Sequence, residues 1–181
     1  MDGNMTIPGL AGGRSFDDFI GGASSADREF MSARVTELKV SSGFERAVGE
    51  FEGLTLVFFA DMECPDCRAV LPFLGKIQAI NPRIRLVARD WNDASEAFLE
   101  ELLGAGRVPT ILALDASGDL MDGAFIERPL AVHRASAEAP SDGEALAVIR
   151  TFRGGGANER VEEDLLRVLR GEKTDVLPYL R

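Results

Sequence analysis

The chain has 181 residues, 45% of them hydrophobic, which predicts one domain with additions or two very small ones around a sizeable core. Thirty Asp and Glu against twenty Lys and Arg leave a net charge of −10 with the positive residues scattered, so binding to nucleic acid or to an acidic membrane is excluded as an expectation. The longest apolar run, residues 56–60, is far short of the roughly 20 residues that span a bilayer, and no basic segment precedes an apolar one at the N-terminus, so a soluble, cytoplasmic chain is expected.

Residues 1–25 are rich in Gly, Ser and Asp and predict a partly ordered arm, with an apolar island at Phe16, Phe19 and Ile20 that can dock on the rest. Residues 26–52 predict a helical extension. Phe30, Met31, Val35 and Leu38 recur at helical spacing after Ser24 or Ser25 as a cap, and Phe44, Val48 and Phe51 mark a second short helix before Gly53. The third unit, 53–181, opens on a compact apolar run, Leu54 to Ala60, that fits a strand buried on both faces. Cys64 and Cys67 follow at once. Val70, Phe73, Leu74, Ile77 and Ile80 then keep helical period up to Asn81-Pro82, with Pro72 inside.

Ile84, Leu86 and Ala88 alternate with arginines, which predicts a half-buried strand. Asp93 with Glu96 forms a capping-box-like start to a helix bearing Phe98, Leu99, Leu102 and Leu103 and ending at Gly104. Thr110–Leu114 and Leu120–Ile126 flank a turn-rich Asp115-Ala116-Ser117-Gly118-Asp119 and predict a hairpin, giving the order βαβαββ. Ser141 and Glu144 frame a further helix through Phe152, the glycines at 154–156 break it, and Val161, Leu165, Val168 and Leu169 mark a terminal amphipathic helix. The fold class expected is therefore α/β, a central mixed sheet flanked by helices with extra helices at both ends.

Two cysteines separated by two residues are too few for a disulfide framework or a mononuclear four-ligand zinc site, and a bridge closing so tight a ring constrains the unfolded chain little. A local redox pair remains. A cysteine in the first turn of a helix has its thiolate favoured by the dipole and free N–H groups, so Cys64 is the expected attacking thiol and Cys67 the resolving one, via a mixed disulfide. Glu63 and Asp66 oppose thiolate formation if their carboxylates lie close, Arg68 offsets part of this, and a less stabilised thiolate makes the pair a reductant.

Leu56-Val57-Phe58-Phe59-Ala60, Cys64-Pro65-Asp66-Cys67, Pro72 and Val108-Pro109-Thr110 together resemble the thioredoxin family over about Gly53 to Pro129, and the helical segment before it with the Gly123 to Pro129 stretch resembles a bacterial thioredoxin-like subfamily with an N-terminal helical extension. The resemblance implies a thioredoxin-like fold and a thiol-disulfide oxidoreductase, with Pro109 cis and facing the cysteines and the backbone at Val108 and Thr110 holding the substrate chain. It implies no cofactor or metal, a protein or small-molecule disulfide as substrate, and a separate reductase as electron donor. Glu63 stands where the family usually carries Trp, Asp66 replaces its usual Pro, and Val57 or Phe58 occupies the region of its buried Asp.

Two alternatives stay open at the level of sequence: a redox-inactive binding or adaptor module on the same fold, and two chains sharing a metal centre through four thiolates. His133 is expected to be a solvated residue of a loop, Trp91 to cover the core edge, and the acidic segment Glu159 to Asp164 to be the solvated face of the last helix.

Overall fold

A computed structural model describes residues 10–180; residues 1–9, the first part of the expected arm, and residue 181 lie outside the described residues. In chain order the elements are α1 (Phe16–Gly21), α2 (Ser25–Glu37), α3 (Ser42–Gly49), β1 (Thr55–Ala60), α4 (Pro65–Ile80), β2 (Arg85–Asp90), α5 (Asp93–Leu103), β3 (Thr110–Leu114), β4 (Leu120–Ile126), α6 (Leu130–Ala137), α7 (Asp142–Thr151) and α8 (Asn158–Leu169). A π-helical turn at Phe152–Gly156 joins α7 to α8, and a 3-10 turn at Leu177–Tyr179 follows.

The sheet runs β2-β1-β3-β4, with β1 parallel to β2 and antiparallel to β3, and β3 antiparallel to β4. Successive side chains of a strand point to opposite faces, and both faces are covered. Leu56, Phe58 and Ala60 of β1 enter a core with α1, α3, α4 and α8, while Val57 and Phe59 enter a second core with Leu99, Leu10 and Val176. The expectation of a half-buried β2 is corrected by the same fact. Leu86, Val87 and Ala88 are all buried because this second core covers the other face, and only the charged ends emerge.

The apolar island of the arm docks as its composition suggested. Phe16 and Phe19 are buried with ring centroids 5.9 and 5.4 Å from that of Phe58, the latter edge-on, and Ile20 packs beside them. Just before this, Arg14 and Ala88 exchange backbone hydrogen bonds of 3.1 and 2.8 Å, so the chain pairs with β2. A Cβ at Gly13 would run into the Ala88 carbonyl, which is why this close approach takes glycine.

Helix ends follow local chemistry: Ser24, Ser41 and Ser141 each accept the N–H three residues on. The start expected at Asp93 is corrected by one residue. Asn92 is the cap, its side chain accepting from Ser95 N–H at 3.0 Å, and Asp93 occupies the first turn. Gly104 closes that helix with a φ of 76°, a left-handed conformation suited to glycine.

Helix α6 departs most from the sequence expectation, for its short polar-looking stretch carries little apolar periodicity and has Pro129 as its N-cap, with no side-chain capping bond. His133 is therefore not solvated: it is 2% exposed, with Nε2 2.8 Å from the Ile126 carbonyl, and burial lowers its pKa. The acidic stretch is likewise not all solvated. Glu162 is buried and accepts from Ser41 N–H at 3.0 Å and Ser41 Oγ at 2.6 Å, tying α8 to the start of α3. Asp164 is buried and accepts from Leu130 N–H at 2.6 Å; burial raises its carboxyl pKa against that bond.

Candidate active site

The apolar β1 delivers the chain to a short turn, and Cys64 is the N-cap of α4, with Pro65 in the first helical turn, where its missing N–H costs nothing. Cys64 is half-buried, whereas Cys67, one turn on, is fully buried, and both are free thiols. Sγ of Cys67 accepts from the Asp61 N–H at 3.4 Å, and Sγ of Cys64 donates to the Val108 carbonyl at 3.7 Å. The Val108–Pro109 peptide is cis, and the Val108 carbonyl lies against Cys64.

The electrostatics separate the thiols. Cys64 is lowered from 9.0 to about 7, first by a hydrogen bond from the Cys67 thiol and then by the backbone N–H groups of Cys67 and Asp66, against partial desolvation and the Asp66 charge. Cys67 is pushed strongly upward, first by burial and then by its coupling to Cys64. Asp66 opposes the Cys64 thiolate as expected, but the Cys67 thiol's hydrogen bond, aided by the helix-start amides, outweighs it and the net shift is downward.

Asp66 lies between the cysteines and is 3% exposed. Its carboxylate is met by Arg153 Nε at 2.6 Å and Arg128 Nε at 3.4 Å. Arg128 also pairs with Glu127, which in turn is 3.2 Å from Arg107. Glu127 has a φ of 61°, uncommon outside glycine, and in that conformation its N–H bonds the Pro109 carbonyl at 2.7 Å. The turn after β4 thereby grips the cis-proline segment and directs Arg128 towards the cysteine helix.

The remaining expected site residues divide. The Val108 carbonyl stands beside Cys64, Pro109 is buried next to it in the chain, and Glu63 and Pro65 are exposed. Thr110 is fully buried, with Oγ1 donating to the Arg107 carbonyl at 2.7 Å, so its side chain braces the turn before β3 and does not line a surface. Arg68 faces away to α2, 3.0 Å from Asp27 with its guanidinium 4.2 Å from the centre of the Phe30 ring. It does not compensate Asp66; Arg128 and Arg153 do. Neither was singled out from the sequence, where the only signal was an arginine abutting a glycine run at 154–156.

Residues 13–140 match the family model described as Thioredoxin. No curated protein matches the chain. Among solved structures, a protein of unknown function from Pseudomonas aeruginosa, PA1234, is 24% identical, with 90% of this chain and 95% of that one covered at a TM-score of 0.71. An HIV epitope-scaffold is also 24% identical, with 92% and 99% covered at a TM-score of 0.74. These likenesses extend the fold assignment over nearly the whole chain.

Proposed function

The chain belongs to the thioredoxin family, and from that premise we propose that it is a thiol-disulfide oxidoreductase working through Cys64 and Cys67, most simply as a disulfide reductase. One observation carries the proposal: a half-buried Cys64 at a helix start, lowered to about 7, lies against a buried Cys67 whose thiol is pushed up. That asymmetry supports the following roles. The Cys64 thiolate attacks one sulfur of the substrate disulfide, that S–S bond breaks, and the departing thiolate takes a proton. Cys67 then loses its proton and attacks the Cys64 sulfur, the mixed disulfide breaks, and the second substrate thiol leaves. Two electrons pass to the substrate and the enzyme is left as the Cys64–Cys67 disulfide, to be reduced again by an external dithiol or reductase.

On this reading the substrate chain lies along Val108 and Pro109, which the nearness of the Val108 carbonyl to Cys64 supports. Resolution is helped by the cycle itself. Once Cys64 is in the mixed disulfide it carries no charge, so one cause of the raised Cys67 pKa disappears and the Asp61 N–H remains to stabilise the Cys67 thiolate. A Cys64 near 7, against about 3.5 in a strong protein oxidant, argues for the reducing side of the family.

Equilibration of the purified protein in graded thiol and disulfide buffers is expected to give a reversible two-electron transition at or below the glutathione poise. Absence of a reversible transition would reject the proposal. In the same reduced protein, the rate of Cys64 alkylation by iodoacetamide is expected to rise about tenfold per pH unit below about 7 and to level off above it, because only the thiolate reacts. A midpoint near the unshifted thiol value of 9.0 would contradict the assigned asymmetry.

A further inference from the structure

Asp66 puts a carboxylate at the place in the molecule where negative charge is least welcome. It is buried between a nucleophilic and a resolving cysteine, and its charge acts against the Cys64 thiolate. Two guanidiniums reach it from separate parts of the chain, Arg128 from the turn after β4 and Arg153 from the π-helical turn between α7 and α8. The Arg153 contact at 2.6 Å is the shorter, made by a side chain one-third exposed. Arg128 is nearly buried, divides itself between Asp66 and Glu127, and its Nε makes no hydrogen bond. Arg153 is therefore the principal partner. It lies beyond the segment matched by the family model, which ends at residue 140.

We propose that Arg153 is a positioning residue for the cysteine pair: by holding the buried Asp66 carboxylate in an ion pair, the C-terminal helical segment keeps that carboxylate's charge from acting unopposed on Cys64. The inference rests on the cysteine chemistry proposed above. Of the charged groups near Cys64, Arg107, Arg128 and Arg153 are linked in a chain of ion pairs with Glu127 and Asp66, while Asp61 and Glu63 precede Cys64, so three positive charges stand against four negative ones, and Arg153 also interacts directly with the Cys64 charge. Loss of Arg153 makes that balance more negative and leaves Asp66 with the longer Arg128 contact alone. A buried carboxylate deprived of its main partner then opposes the thiolate more strongly.

The test is the pH profile of Cys64 alkylation in the reduced full-length protein and in R153M, R153Q, R153K, D66N and the D66N/R153M double variant. At pH 7, R153M and R153Q are expected to slow alkylation roughly three- to tenfold by moving the midpoint upward, and R153K to restore part of the rate. In the D66N background the same R153M change is expected to slow alkylation less than half as much, since the charge it balances is gone. Slowing of less than twofold in both neutral variants, or an equal slowing with and without Asp66, would overturn the proposal. Unchanged circular dichroism separates these outcomes from misfolding, with R153Q as the second neutral variant should R153M fold poorly. Alkylation does not require disulfide turnover, so a chain that failed the redox titration would leave this result readable on its own.

Discussion

Cys64→Ser is expected to reduce disulfide turnover to the rate seen without protein, while Cys67→Ser is expected to stop the cycle one step later with the substrate covalently held. The difference follows from position. Cys64 is the thiol that solvent and substrate can reach, and its hydroxyl replacement has no accessible anion near neutral pH. Cys67 is sealed beneath it and acts only on a bond that Cys64 has already formed. Mass spectrometry of Cys67→Ser after exposure to a small disulfide should find one substrate half attached and releasable by dithiothreitol. A Cys64→Ser protein that still turned over disulfide, or a Cys67→Ser protein that released both halves as fast as the parent, would reverse the assigned roles.

The largest stability effect is expected at Phe58, where Phe58→Ala should cost about 3–5 kcal/mol. Its ring is fully buried at the centre of the principal core and is the one against which both Phe16 and Phe19 are seated. Truncation leaves a cavity and also removes the surface on which α1 docks, adding about 0.5–1.5 kcal/mol for each lost ring pair. The midpoint of thermal unfolding should fall by roughly 10–30 °C. Protease sensitivity at residues 10–22 should rise in parallel. A loss of less than about 1 kcal/mol would mean that α1 is held by contacts other than these rings.

Much of the architecture was legible because it rests on local signals. The run from Leu54 to Ala60, the helical period from Val70 to Ile80 and the turn around Gly118 each encode their element within a few residues, and their order limits the topology. The cysteine pair was legible for the same reason. Its electrostatic setting was not. Asp66 and Arg153 are 87 positions apart, and a guanidinium meets a carboxylate across such a distance only because α8 and the turn before it fold back over α4. Arg68, adjacent to Cys67 in sequence, looked the better partner, yet a residue one step along a helix points about 100° round it, and there Asp27 and Phe30 claim it. The same limitation hid the roles of Glu162 and Asp164. Their charge suggested solvent, but each is a buried acceptor for a distant helix start.

The pairing of Arg14 with Ala88 bears on how the molecule behaves in company. β2 is an outer strand, and an outer strand offers unpaired N–H and C=O groups on which another chain can align. Here the molecule answers that hazard from within, because its own backbone already occupies part of the rim, held there by the Phe16 and Phe19 rings a few residues on. Whatever loosens those rings uncovers the rim as well, so damage at the buried Phe58 becomes stickiness at the surface, and self-association accompanies lost stability.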